Sequence, residues 1–323
     1  ISVFDEGADK MVQQFPQPAW TTCLQMDNSG KIWAGTSDNG VATFNPADST
    51  WTQTTEKQGF PHQYVRSMTC DNAGNIWVGT SGGGVVKFLD SQPFTHFDAS
   101  NGLAGNRIYA LQEDSRGRLL MAVSQVGLQV LDSAGILPFG RDSGWLSGIK
   151  SRTIAEDNFG RIWVGTEGKG LVVFDSSGME KVPGLPNGMI LKIVAGTPGE
   201  MWVATTAGIA RISYALKNSF STRSYGKKEG LKGLIISTLY LDAHGNLWFS
   251  DQFGNVGLIQ NGKVEKVFDL ENGLPGAPVR CIAVSSSGQL WVGTKGAGIF
   301  EANTSLDPVR FQPIQTPKKL ASD

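Results

Sequence analysis

Three arginines share one spacing in this chain: Arg66, Arg152 and Arg280 each lie eleven residues before a tryptophan. The guanidinium group presents a planar fork of donors that binds a carboxylate through two parallel hydrogen bonds. A shared spacing predicts that repeated structural units hold these side chains in equivalent places. The chemistry that they favour is recognition of the hydroxyl or carboxylate groups of a ligand.

Further polar and aromatic residues follow the same spacing. The position two residues before that of the three arginines is aromatic or basic in four units. In another unit, Tyr109 stands where the arginine would be. An aromatic ring beside cationic donors suits a sugar or a peptide, because the ring offers an apolar face for stacking. With neighbouring loop residues, the predicted ligand-binding set is Trp20, Tyr64, Arg66, Arg107, Tyr109, Trp145, Lys150, Arg152, Glu167, Asp251, Gln252, Arg280 and Lys295. The alternative is that these positions pack between units and that arginine stems cover apolar surface.

The element that must position these residues is a repeat of about 43 residues. Each unit has one position, occupied by tryptophan in six units and by leucine in one, that follows a glycine by three residues. Successive occurrences of this repeat position are 44, 43, 43, 39, 46 and 43 residues apart. The residues at this position are Trp33, Trp77, Leu120, Trp163, Trp202, Trp248 and Trp291. Repetition at this length, with short strands and turn residues, predicts a radial or solenoid array.

Aspartates recur in the turn of each well-preserved unit, as Asp-x-x-Gly. They are Asp27, Asp71, Asp114, Asp157 and Asp242. Asp accepts hydrogen bonds from its own turn, and Gly supplies the positive φ that other residues resist. We therefore interpret these carboxylates as turn residues rather than as catalytic acids.

Four alternating strands fit into each unit, so we predict an all-β protein, a seven-bladed β-propeller of four-stranded antiparallel blades. The whole chain, 1–323, is predicted to be one such domain. The blade cores are predicted near 20–54, 64–97, 107–139, 150–183, 189–224, 235–268 and 278–311. Two segments are candidates for the outer strand of the seventh blade, residues 1–5 and Val309 to Phe311, and the sequence does not choose between them.

Composition excludes several classes of function. A net charge of −1 and a pI near 6.4 argue against a nucleic-acid or anionic-membrane surface, which needs a concentrated basic footprint. No run of residues reaches the roughly 20 apolar positions of a membrane span. We interpret Cys23, Cys70 and Cys281 as buried free thiols, although ring closure would make Cys23 and Cys281 neighbours and leaves a disulfide between them as the minor alternative.

The repeat Asp-x-x-Gly-x-(Ile/Leu)-Trp-Val-Gly-Thr, with an Asn-Gly-Leu-Pro segment such as Asn272 to Pro275, resembles the two-component-regulator propeller repeats. Those repeats are found in extracytoplasmic sensor regions of bacterial hybrid histidine kinases and related signalling proteins. The resemblance implies a non-catalytic ligand-sensing or interaction propeller on the periplasmic or extracellular side of a bacterial membrane. The sixth unit is also similar to streptogramin lyases, which are seven-bladed propellers too.

A lyase would need a cluster of histidine, glutamate and metal near the ring axis. Only His62 is predicted on the same face as such a site, since His96 falls in an outer strand and His244 in a turn. We therefore predict no catalytic residue, no metal and no cofactor. The expected partner is a small molecule or an oligosaccharide, and the basic residues favour an acidic sugar. The alternative functions are a protein-binding scaffold and a lyase-like enzyme. Nucleic-acid binding and membrane insertion are not expected, and a homodimer is possible in a full-length receptor.

Overall fold

The computed structural model describes residues 2–5, 10–14, 21–45, 50–89, 92–140, 146–176, 178–186, 189–215, 219–284 and 288–313. Seven antiparallel sheets of four strands follow one another along the chain. The first strand of each sheet contacts the first strand of the next, and the seventh contacts the first, so the sheets close into a ring. The predicted seven-bladed β-propeller is confirmed.

The strands of each blade follow in chain order from the innermost to the outermost. They are β3 (Thr21–Met26), β4 (Ile32–Thr36), β5 (Val41–Asn45) and β6 (Thr50–Thr54) in blade 1; β7 (Val65–Cys70), β8 (Ile76–Thr80), β9 (Val85–Leu89) and β10 (Gln92–Phe97) in blade 2; β11 (Ile108–Glu113), β12 (Leu119–Val123), β13 (Gly127–Asp132) and β14 (Gly135–Pro138) in blade 3; β15 (Ser151–Glu156), β16 (Ile162–Thr166), β17 (Leu171–Asp175) and β18 (Gly178–Lys181) in blade 4; β19 (Ile190–Ala195), β20 (Glu200–Thr205), β21 (Gly208–Tyr214) and β22 (Phe220–Tyr225) in blade 5; β23 (Ile236–Leu241), β24 (Leu247–Asp251), β25 (Val256–Gln260) and β26 (Lys263–Phe268) in blade 6; and β27 (Val279–Val284), β28 (Gln289–Thr294), β29 (Ile299–Asn303) and β30 (Gln312–Pro313) in blade 7. Short 3-10 helices open several connections between blades: Glu56–Gln58, Ala99–Asn101, Lys227–Glu229 and Leu270–Asn272.

The aspartate turns do more than reverse the chain. In blade 2, Asp71 Oδ1 accepts a hydrogen bond from the Asn75 amide at 2.7 Å, while Oδ2 accepts one from Trp77 Nε1 at 2.8 Å. The equivalent indole bonds measure 2.8 Å in blade 1, 2.7 Å in blade 4 and 3.1 Å in blade 6. Burial alone would raise the pKa of Asp71, but the hydrogen bonds from Trp77 and Asn75 outweigh it and lower the pKa. Each such carboxylate thus links its turn to the tryptophan of the same blade through a hydrogen bond.

Blade 3 lacks the tryptophan and uses a different bond. Leu120 is fully buried at the repeat position, and Arg118 takes the place of the indole donor with its Nε 2.8 Å from Asp114 Oδ2. The guanidinium lies 5.9 Å from the ring centre of Phe139, within cation–π range. The substitution therefore changes the packing of this blade without removing the satisfied carboxylate.

Packing between blades depends on the tryptophans and on the glycine two residues later. Trp33 meets Phe88 of blade 2 edge-on, with ring centres 5.1 Å apart. A Cβ on Gly35 would lie 2.5 Å from Val65 Cγ1, so only glycine allows this approach of blade 2. The same close approach recurs at Gly79, whose Cβ would lie 2.8 Å from Ile108 Cγ2. Blade-to-blade contact near the axis thus requires the small residue of the repeat.

The outer strand of blade 7 comes from the C-terminal part of the chain. β30 pairs with β29, and the preceding Val309 and Phe311 are buried against Trp248 and Phe268 of blade 6. At the other end of the chain, β1 (Ser2–Asp5) and β2 (Lys10–Gln14) pair with each other in a separate two-stranded sheet. The structure therefore selects the C-terminal alternative, with β-pairing beginning one residue after Phe311.

Candidate ligand-binding site at the channel mouth

Backbone hydrogen bonds join two sets of loops on one face of the ring. In blade 2, the amide of Ser81, just after β8, donates to the carbonyl oxygen of Tyr64, just before β7, at 2.9 Å. The same bond joins Ser124 to Arg107 at 2.9 Å, and Glu167 to Lys150 at 2.9 Å. The loop between the second and third strands is therefore held against the start of the innermost strand. This arrangement brings many of the predicted residues to the mouth of the central channel.

Arg66 is held between two aromatic rings at this mouth. Its guanidinium carbon lies 4.7 Å from the ring centre of Tyr64 and 4.9 Å from that of Tyr109 in blade 3. Its Nε donates to Ser81 Oγ at 3.0 Å. Stacking on two rings and one directed hydrogen bond restrict the side chain to one orientation.

Arg107 binds the same serine from blade 3. Its Nε donates to the Ser81 carbonyl oxygen at 3.3 Å. Among the described residues, neither Arg66 nor Arg107 forms an ion pair with a carboxylate. Two guanidinium groups thus share one anchor, and within the described ranges their terminal nitrogens donate to no other group.

Arg152 in blade 4 differs, because it already has a carboxylate partner. Glu167 Oε2 accepts from Arg152 Nε at 3.0 Å and from its NH2 at 2.9 Å, and Lys150 Nζ lies 3.4 Å away. Burial raises the pKa of Glu167, but the hydrogen bond and charge of Arg152, with help from Lys150, outweigh it and lower the pKa. All three side chains are partly exposed, so solvent screening keeps the strength of this pairing modest.

The remaining predicted residues are dispersed. Asp251 is only 1% exposed, and its oxygens accept from the Phe253 amide at 2.9 Å and from Asn255 Nδ2 at 2.8 Å, so it stabilises its own turn. Gln252 Oε1 accepts from the amide of Ile235 at 2.9 Å. Two other members of the set, Arg280 and Lys295, are exposed on blade 7. Trp20 and Trp145 lie outside the described residues.

One histidine lies beside a carboxylate, with His96 Nδ1 3.8 Å from Asp98 Oδ2. His62 packs on Gly82 and Gly83, and His96 Nε2 lies 2.5 Å from the Gly83 carbonyl oxygen, so two histidines meet at one loop. His244 lies in the turn of blade 6 that Asp242 caps. Within the described ranges, no group of three or more His, Cys, Asp or Glu residues could hold a metal ion. In the same ranges, no helix is both long and apolar enough to cross a bilayer.

One channel residue escaped sequence reasoning. The third residue of each innermost strand is small except in blade 5: Cys23, Ser67, Ala110, Thr153, Lys192, Thr238 and Cys281. The sequence does contain a signal for this residue, because the same strand position holds a small residue in six blades and a lysine in blade 5. All three cysteines of the chain are unpaired, as predicted, but each residue is partly rather than fully buried. Burial raises the pKa of Cys23 to about 11 and that of Cys281 to about 12.

A comparison with protein families matches the two component regulator propeller model over residues 59–82, 146–168 and 273–296. These segments contain the Trp77, Trp163 and Trp291 repeats. In these three segments the sequence matches repeats of the two component regulator propeller type. The chain carries two component regulator propeller repeats, as its sequence predicted. No curated protein matches the sequence.

Solved structures with a similar fold include a lyase and the extracellular domains of a one component and a hybrid two component system. A virginiamycin B lyase from Staphylococcus aureus is 14% identical, with a TM-score of 0.72, over 89% of this chain and 96% of the lyase. The extracellular domain of a protein described as a one component system from B. thetaiotaomicron is 17% identical, with a TM-score of 0.64. That match covers 96% of this chain but 51% of the other, so this chain spans about half its length. A hybrid two component system domain from the same organism is 18% identical, with a TM-score of 0.51, over 92% of this chain and 53% of the other. At such identities the likeness establishes the fold alone.

Proposed function

We propose that this propeller is a non-catalytic sensor module of a bacterial signalling protein and that it binds an anionic ligand, an acidic oligosaccharide, at the channel mouth. The observation that carries the proposal is the pair Arg66 and Arg107, anchored on Ser81 with no carboxylate partner among the described residues. Such preorganised guanidinium groups bind a carboxylate bidentately at little cost in side-chain entropy. The rings of Tyr64 and Tyr109 add an apolar surface beside the charge.

The signalling role is supported by the repeat type and by the extracellular domains that share the fold. Those domains are described as extracellular, and we propose the same extracytoplasmic setting for this chain. In such a setting the ligand would reach the mouth from outside the cell. The output of the signal would then depend on parts of the protein beyond the propeller.

The test is calorimetry with a trimer of galacturonic acid. The double variant Arg66→Ala, Arg107→Ala should weaken binding by at least about 100-fold, because each charged hydrogen-bonded contact contributes roughly 1.5–3 kcal/mol. The matched control is Arg116→Ala, which removes an exposed arginine from the turn at the opposite end of blade 3. If the double variant binds the trimer as tightly as the wild-type protein does, this site is refuted.

The single variant Arg152→Ala refines the assignment. Because Glu167 already holds this guanidinium, its loss should weaken binding by less than about fivefold. If Arg152→Ala weakens binding as much as the double variant does, the ligand-binding site lies in blade 4 instead.

A second candidate function, protein binding, has one observation in its favour. Ile235, Phe253 and Leu270 are 42%, 58% and 68% exposed, and all lie in loops of the mouth face around blade 6. Exposed apolar residues on one face favour association with another protein surface. If that is the function, Phe253→Ser should abolish co-elution with the partner and leave galacturonate binding unchanged.

A further inference from the structure

Blade 5 places two arginines directly opposite each other on its outer strands. Arg211 of β21 pairs with Arg223 of β22, and the tryptophan of the repeat, Trp202, pairs with Arg211 from the other side. At the same two positions of the other blades, each charged residue faces an uncharged one; these charged residues are Lys87, Glu180, Lys266 and Glu301. Like charges at directly opposite positions destabilise a sheet. The repeat therefore does not require this pair, and folding alone does not favour it.

Both guanidinium groups lie over aromatic rings and converge on a turn of blade 6. The guanidinium carbon of Arg211 lies 5.5 Å from the ring centre of Trp202, and that of Arg223 lies 5.1 Å from the ring centre of Tyr225. Gly262 lies in the turn between β25 and β26 with a φ of 71°. The NH1 atoms of Arg211 and Arg223 lie 3.5 and 3.6 Å from the position that a Cβ on Gly262 would take. One small group beside this glycine is thus within reach of both arginines.

The turn that holds Gly262 lies on the face opposite the mouth. Gln260, the last residue before the turn, donates from Nε2 to Asn246 Oδ1 at 3.1 Å. Asn246 belongs to the turn that Asp242 caps, whereas the loop with Gln252 lies at the other end of β24. The hydroxyl of Tyr225 donates to the Gly262 carbonyl oxygen at 3.2 Å and so joins blades 5 and 6 at this place. The two arginines therefore belong to a different surface from Arg66 and Arg107.

The two arginines have one carboxylate between them. Glu200 forms an ion pair with Arg211 through its NH2 atom. Arg223 is exposed, and among the described residues it forms neither an ion pair nor a hydrogen bond. One positive charge of the pair is therefore uncompensated. A bound anion would compensate this charge and would screen the repulsion between the two guanidinium groups.

We propose that Arg211 and Arg223 form a second anion-binding site, which takes a phosphate or sulfate group. A tetrahedral oxyanion presents oxygens in several directions, so it can accept from two guanidinium groups at once. The rings of Trp202 and Tyr225 hold both groups in place before the anion binds, which lowers the entropic cost of binding. The group is either a free ion or an ester on a larger molecule. The site does not depend on the ligand proposed for the mouth.

The first test follows the arginine Nε–H signals of the ¹⁵N-labelled full chain by NMR. The Arg211 signal is assigned as the one that Arg211→Lys removes. Sodium phosphate should shift it to saturation, and sodium chloride at equal ionic strength should not. The matched control is Arg118, which is likewise paired with a carboxylate and lies near a ring, and its signal should change only slightly and linearly. Linear changes of the same size at Arg211 and Arg118 would overturn the proposal.

Variants of the exposed Arg223 give a second test. Arg223→Ala should weaken phosphate binding at Arg211 at least about tenfold, because it removes one of two charged donors. An unchanged affinity would overturn the proposal. Arg223→Glu should raise the unfolding temperature without phosphate, because it places opposite charges across the strands. Phosphate should then raise the unfolding temperature of the wild type only, and equal stabilisation of both proteins would also contradict the site.

Glycerol 3-phosphate separates the two sources of the anion. If it saturates the Arg211 signal at a concentration at least about tenfold below inorganic phosphate, the site takes an ester of a larger molecule. If inorganic phosphate saturates the signal at an equal or lower concentration, the site binds the free ion. Phosphate should still saturate Arg211 in the Arg66→Ala, Arg107→Ala variant, so failure of the mouth site and failure of this site give different results.

Discussion

Replacing Asp71 with alanine should destabilise the protein by about 2–4 kcal/mol, because it removes the acceptor of a buried indole. Trp77 is only 6% exposed, and its Nε1 donates to Asp71 Oδ2 at 2.8 Å. An unsatisfied buried donor costs roughly 1–3 kcal/mol, and the lost turn bonds to Asn75 contribute about 1 kcal/mol more. Urea unfolding at pH 7 measures the difference in the free energy of unfolding.

The chain supplies a matched control in Asp114, the equivalent carboxylate of blade 3. Its partner is Arg118, whose side chain is 27% exposed and can turn to water when the carboxylate is lost. Asp114→Ala should therefore cost less, about 1–2 kcal/mol. A double-mutant cycle of Asp71→Ala with Trp77→Phe should give a coupling energy of about 1 kcal/mol or more, and strict additivity would refute the reasoning.

The effect of Asp71 should also depend on pH. Its pKa is lowered in the folded protein, so the stabilisation is present above the unfolded pKa of about 3.9. It is lost as the pH falls through the folded pKa. The difference between wild type and Asp71→Ala should thus shrink in acid, and a difference that grows below pH 4 would contradict this sign.

Three further outcomes are expected. Glu167→Gln should raise the affinity for a galacturonate trimer roughly two- to fivefold in calorimetry, because it removes a carboxylate that competes with the ligand; an unchanged or lower affinity would contradict that role. Since the pKa values of Cys23 and Cys281 are raised, stability in urea should fall as the pH rises above about 9, and this fall should be smaller when both are replaced by alanine; equal falls would exclude the thiols as its cause. Gly79→Ala should lower stability by about 1–3 kcal/mol, since its Cβ would lie 2.8 Å from Ile108 Cγ2, and an unchanged unfolding midpoint would mean that blade 3 moves aside freely.

Much of the fold followed from one repeat. The glycine and tryptophan spacing predicted seven blades, and the turn role of residues such as Asp27 and Asp157 followed from Asp-x-x-Gly. The indole bond was not predicted, although its signal was present in the constant six-residue spacing between aspartate and tryptophan. Local geometry determines these features, so residues close in sequence were sufficient to predict them.

The site was less predictable, because its members meet only when blades meet. Asp251 follows the loop register but is buried in its own turn, and Glu167 pairs with Arg152 instead of remaining available. Ser81, which the predicted set omits, anchors Arg66 and receives a bond from the next blade. Spacing assigns a residue to the mouth, but it does not reveal which neighbour already occupies its donors.

By itself, the sequence determined the number of blades, the order of their strands and the register that aligns Arg66, Arg152 and Arg280. Those properties repeat within each blade, where turns and strand pairing are local. Only the tertiary structure decided that β30 completes the seventh blade and that Arg66 and Arg107 share Ser81. Arg107 and Ser81 are 26 residues apart and lie in neighbouring blades, and Val309 and Phe311 beside β30 pack on Trp248 and Phe268 of blade 6. Such contacts form only when the blades are arranged side by side around one axis.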